Sequence, residues 1–162
     1  MHRDRELRKR RAHQFCEAFD RRRGGLEHDE RVLDWVRHAQ EGTRFTTSVC
    51  TGSLVLGAAG LLDGLSATTH WSCYPQLAAH GAAPTAERVV EHLDRRLITA
   101  AGVSSGIDMA LRLVALLVDR TAAAAAQLMI EYDPQPPFAC GTVEKSDDVV
   151  MTRVIEYAGV RS

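Results

Sequence analysis

The feature that most limits how this 162-residue chain can fold lies at residues 45–53. There Phe45, Thr46, Thr47 and Val49 give way through Cys50 to Gly52, Ser53 and a small, apolar run reaching residue 62. β-Branched and aromatic side chains suit a pleated, half-buried strand, whereas the run of Leu, Ala and Gly suits a helix buried against a sheet. A strand therefore passes into a helix with almost no loop between. So sharp a turn tolerates only small neighbours, and Ser48 and Gly52 stand two before and two after the cysteine. That is the spacing of a nucleophile elbow, in which the reactive residue takes a strained backbone at the end of the strand. The helix that follows would turn its first amides toward the sulfur, where their partial positive charge favours an anion. The Thr51 amide would face the same pocket and hydrogen-bond a developing negative charge. The spacing leaves a second reading open: a small buried cysteine at a strand end.

Strand and helix signals alternate along the rest of the chain. Val32, Trp35, Val36 and Ala39 mark one helical face behind a capping Asp29, and Gly42 ends that helix. Residues 66–70 read as a second short strand, and a short helix starts at Pro75. Val89-Val90 and Leu97-Ile98-Thr99 read as two more strands around a polar turn at Asp94-Arg95-Arg96. Ser104, Ser105 and Asp108 resemble a helix start, the serine capping an amide and the carboxylate answering the dipole. Ile107, Leu111, Val114 and Val118 predict the buried stripe of that helix. Residues 122–126 are alanine, a strong helix former, and Pro134, Pro136 and Pro137 close that segment. The tail from Gly141 is loosely patterned. About four strands alternating with helices predict a layered α/β domain with a largely parallel sheet.

Charge narrows the function classes. Twenty Lys and Arg face 21 Asp and Glu, a net charge of −1, so the chain as a whole is not drawn to nucleic acid or an anionic membrane. The balance is uneven: residues 1–29 carry net +3 and the remainder −4. Residues 1–28 thus form a basic leader (Arg3, Arg5, Arg8, Lys9, Arg10, Arg11 and Arg21 to Arg23), read as a solvated arm because acids are interspersed. Residues 29–162 form the domain. The charged leader lacks an apolar signal segment, and the longest apolar runs fall short of a membrane span. The expectation is a cytoplasmic chain with no membrane partner and four reduced thiols, of which Cys16, Cys73 and Cys140 are incidental. His70-x-x-Cys73 has the spacing of a metal pair, but no second pair matches it, so no metal or cofactor is expected. Gly102-Val103-Ser104-Ser105-Gly106 reads as a tight strand-to-helix connection, with anion docking the competing reading.

Three segments in order, TSVCTGSLVLGAAGLLDGLSATTHW, ITAAGVSSGIDMAL and IEYDPQPPF, resemble the PfpI/ThiJ superfamily, the class I glutamine amidotransferase-like proteins. The resemblance spans about residues 29–150 and is nearest to the isonitrile hydratase branch. It implies a flavodoxin-like three-layer α/β sandwich with a mostly parallel sheet. It further implies that Cys50 matches the family nucleophile, Thr51 its neighbour in the site, and His70 a histidine close to that cysteine. The implied function is cysteine-dependent hydration of a carbon–nitrogen multiple bond to an N-substituted formamide, on a small-molecule substrate and with a homodimer as the assembly. A different class is also implied by a nearby branch: a non-catalytic ligand-sensing domain related to AraC-type transcriptional regulators. The 12 residues after Val150 are too few for a helix-turn-helix module, so a nucleic-acid partner is not expected. The family's opening strands, the acid that contacts the cysteine and a Pro-Gly-Gly loop have no recognisable counterpart before Asp29. The chain therefore reads as a shortened member lacking N-terminal strands, with reduced activity and a marginally stable fold.

Overall fold

The computed structural model describes residues 25–158, so the expectations for Cys16 and for most of the basic arm lie outside the described residues. A single 3-10 turn (Leu26–His28) leads into helix α1 (Glu30–Gly42). Asp29 caps α1 as expected, its carboxylate accepting the Arg31 N–H at 3.0 Å. The buried face differs from the expected one. Leu33 and Val36 are buried whereas Trp35 is 70% exposed. Two residues separate Trp35 from Leu33, which is about 200° of rotation around a helix, so a helix seated on Leu33 must turn Trp35 outward.

Strand β1 (Thr46–Val49) and helix α2 (Gly52–Ala58) follow, then β2 (Ser66–Ala67), α3 (Tyr74–Ala79), β3 (Ala83–Pro84), β4 (Val89–His92) and β5 (Leu97–Ala100). Helices α4 (Ser105–Leu117), α5 (Arg120–Met129) and α6 (Asp148–Tyr157) complete the described chain. In the main sheet β5 lies between β1 and β4, parallel to β1 with Thr46 opposite Leu97 and antiparallel to β4. The short strands β2 and β3 make a second, parallel pair. Two of the three pairings are thus parallel, and the sheet is mixed. The strand expected over residues 66–70 pairs for only two of them. At Thr68 the backbone N–H instead donates to the Thr99 side-chain hydroxyl of β5 at 3.0 Å, which ties the two sheets together.

The period-2 alternation of β5 creates the layers. Leu97 points into a cluster with Leu33, Val36, Leu54, Leu56 and Leu77 from the first three helices. Ile98 and Ala100 point the other way, onto Met109 of α4. Helices on both faces of a sheet make this an α/β sandwich of the flavodoxin-like kind. Helix α4 also departs from its expected face: Ser105 and Met109 are buried, with Leu113 and Leu116 beside them, while Ile107 and Val118 of the predicted stripe are exposed. Ser104 makes no capping bond with its side chain. The tail expected to be irregular contains α6, capped by Asp147 and anchored by the buried Met151. Among the described residues no helix is long and apolar enough to cross a membrane.

Candidate active site

Cys50 ends β1 with φ +59°, a left-handed conformation that costs a non-glycine residue about 1–2 kcal/mol. The surroundings hold it there from both sides. Its N–H is shared between the carbonyls of Ala100 and Ala101, at 3.0 and 2.8 Å. Its own carbonyl accepts the hydroxyls of Ser53 (3.1 Å) and Thr69 (3.0 Å), both fully buried. A strained residue survives where its neighbours over-determine it, and such strain collects at functional sites. The flanking small residues face each other across the turn: a Cβ built on Gly52 would lie 3.5 Å from the Ser48 Cβ, an ordinary van der Waals distance.

Helix α2 starts two residues after the cysteine and is seven residues long, shorter than the predicted run to residue 62. Ser53 and Leu54 direct their N–H groups back to the Cys50 and Thr51 carbonyls. The amides of Thr51 and Gly52 make no hydrogen bond among the described residues. First-turn amides have no helical partner of their own, so these two are available to an anion beside Cys50. The Cys50 side chain is a half-buried free thiol.

His70 caps a 3-10 turn (Trp71–Cys73), its Nδ1 accepting the Ser72 N–H at 3.4 Å and lying 2.7 Å from the Ser72 hydroxyl. The ring tilts against Trp71 with centroids 5.0 Å apart. Burial holds its pKa below the usual histidine value, because desolvation penalises the cation. On its other side the ring meets the loop after β5: a Cβ on Gly102 would lie 3.6 Å from His70 Cδ2. Cys50 and Thr51 follow the carboxyl end of β1 and the His70 ring lies beside the loop after β5, with Thr69 holding the cysteine carbonyl one residue before the histidine. Clefts beyond the carboxyl ends of strands are where open α/β sheets place ligands.

Other expected features sort differently. Cys73 is buried and disulfide-bonded, so the expectation of four reduced thiols does not hold for it. Cys140 is a free, exposed thiol. With His70 Nδ1 turned to Ser72 and Cys73 oxidised, the His70-x-x-Cys73 spacing serves the turn. Asp108 does more than answer a helix dipole. It receives the Arg88 guanidinium at 2.6 Å and the Tyr132 hydroxyl at 2.9 Å, tying the segment after α5 to the first turn of α4. Ser53, Thr69 and Ser72 were not singled out from the sequence. The one available signal is that small hydroxyl residues beside a turn bond local backbone.

Comparison with known proteins agrees with this geometry. The DJ-1/PfpI family model matches residues 22–116. The chain is 47% identical to an isonitrile hydratase of Pseudomonas putida over 139 residues, which is 86% of this chain and 58% of that protein. It is 31% identical over 136 residues to the HTH-type transcriptional regulator CdhR of Pseudomonas aeruginosa, covering 80% of this chain and 36% of the regulator. Among solved structures, a THiJ/PfpI family protein from Pseudomonas syringae superposes with a TM-score of 0.76 at 47% identity, over 83% of this chain and 55% of the other. The chain thus spans little more than half the length of the hydratase and of that structure. With 95 of its residues matched by the family model and its cysteine on a left-handed strand-to-helix turn, the chain belongs to the DJ-1/PfpI family.

Proposed function

We propose that the chain carries out isonitrile hydratase-type chemistry, with Cys50 as nucleophile. The observation that carries this reading is the left-handed Cys50, locked at both its N–H and its carbonyl, beside two amides that make no hydrogen bond among the described residues. The 47% identity to an isonitrile hydratase supports an isonitrile as the substrate class. In the proposed reaction the Cys50 thiolate bonds to the terminal carbon of R–N≡C, and that carbon takes a proton from water to give a thioimidate, S–CH=N–R. Water then adds to the carbon and the nitrogen is protonated. Collapse expels the thiolate and leaves the N-substituted formamide, so one water is consumed and Cys50 is regenerated. Thr51 and Gly52 amides stabilise the negative charge that builds during addition and collapse. His70 is the side chain that hydrogen-bonds the reacting groups.

The second reading is a ligand-sensing domain without turnover, supported by the 31% identity to CdhR. Incubation of the purified chain with a simple alkyl isonitrile, followed by mass spectrometry of the N-alkyl formamide, separates the two. The enzyme reading expects formamide from the native chain and none from Cys50→Ala. Equal formation by both proteins removes Cys50 from the reaction, and formation by neither leaves the sensing domain.

A further inference from the structure

We infer that Ser72 is a positioning residue that fixes the proton of His70 on Nε2, making His70 a hydrogen-bond donor in the site and not the base that deprotonates Cys50. This rests on the reading of Cys50 and His70 as one site, and it adds a role for a residue that contacts neither the cysteine nor its carbonyl.

The backbone N–H of Ser72 can only donate, so His70 Nδ1, 3.4 Å away, must present a lone pair to it. The Ser72 hydroxyl lies 2.7 Å from the same nitrogen and turns to donate as well. A neutral imidazole carries one N–H and one lone pair, so with Nδ1 occupied as acceptor the proton belongs to Nε2. The hydroxyl has little else to do. Ser72 is completely enclosed, and among the described residues its oxygen touches, besides Nδ1, only the Cys73 sulfur, at 3.4 Å. Burial works in the same direction, favouring a neutral ring. The ring edge turned to Gly102 at the end of β5 is the one at Cδ2, and Cδ2 adjoins Nε2.

The chemical consequence is specific. A base must offer a lone pair to the thiol proton, and in this tautomer Nε2 has none to offer. His70 instead directs an N–H at a thiolate or at an adduct anion, while the Cys50 proton leaves to solvent and the substrate carbon takes its proton from water.

The tautomer is read directly, without substrate, by long-range 1H–15N correlation on the uniformly 15N-labelled chain at neutral pH, with His70 assigned by comparison with His70→Gln. The expected spectrum has a protonated Nε2 and an unprotonated Nδ1. A ring protonated on Nδ1, or on both nitrogens, overturns the inference. Ser72→Ala keeps the backbone N–H on Nδ1 but loses the shorter hydroxyl bond, so a minor Nδ1-protonated population should appear and iodoacetamide modification of Cys50 should slow several-fold. An unchanged tautomer ratio in that variant overturns the role of Ser72. Because neither readout uses an isonitrile, loss of the hydration reading and loss of this inference are separately visible.

Discussion

At the scale of single residues, the left-handed backbone of Cys50 is the costliest feature of the site and the one most directly encoded. Small residues at positions 48 and 52 are a local steric requirement, and local requirements can be read along a sequence. The lock on the Cys50 carbonyl is different, since Thr69 lies 19 residues away and only folding brings it there. The strain makes an unusual prediction. Elsewhere in a strand or helix, glycine costs about 0.5–1 kcal/mol relative to alanine, but at φ +59° it avoids a Cβ penalty of comparable or larger size. Cys50→Gly should therefore unfold at a denaturant midpoint equal to or above that of Cys50→Ala; a clearly lower midpoint would mean that the turn is not strained. His70 supplies a second prediction. Its folded pKa lies below the value of about 6.5 expected when unfolded, so its contribution to stability is complete above that value. That contribution is lost as the pH falls from about 6.5 through the lower folded pKa. Native chain should lose stability more steeply over this window than His70→Gln, and parallel pH profiles would show that the ring is not desolvated.

Elements were legible as elements, and their orientation was not. Periodicity located α1 and α4, because apolar spacing near 3.6 depends on the helix alone. Which face is buried depends on what the helix meets. Helix α1 seats Leu33 and turns Trp35 out, and α4 seats Ser105 and Met109 and turns Ile107 out. Strand β3, two residues ending in a proline, carries no recognisable pattern of its own and exists because β2 lies beside it. Close packing of α4 on β1 offers a test at this scale. A Cβ on Gly106 would lie 3.2 Å from both methyl carbons of Val49, the residue before Cys50, so rotating Val49 relieves one of the two close contacts and leaves the other. Gly106→Ala should gain about 1 kcal/mol of helix propensity and lose more than that to overpacking. A chemical-denaturation double-mutant cycle should show the single variant destabilised and Val49→Ala/Gly106→Ala recovering relative to Val49→Ala alone. Additive effects would exclude the contact as the cause.

For the whole molecule, the layered α/β sandwich and the position of the site at the carboxyl ends of β1 and β5 follow from the alternation of strands and helices, which composition and spacing display. The sequence did not reveal how much apolar surface the layers leave uncovered. Helix α5 has no buried residue, and Leu128, Met129, Phe138, Val149 and Tyr157 are all exposed. Each large apolar side chain left in water forgoes about 1.5–3 kcal/mol, against a net stability of about 5–15 kcal/mol for a domain. The purified chain should accordingly unfold with a midpoint below about 60 °C, and a sharp transition above it would contradict this estimate. The central claim, that this fold makes Cys50 the reactive thiol, is tested most directly by timed iodoacetamide labelling at neutral pH with peptide mapping. Access alone favours Cys140, which is exposed, over the half-buried Cys50. If the elbow and its amides activate the thiol as proposed, Cys50 is modified first and Cys140 lags behind. Modification of Cys140 at an equal or greater rate would contradict the account.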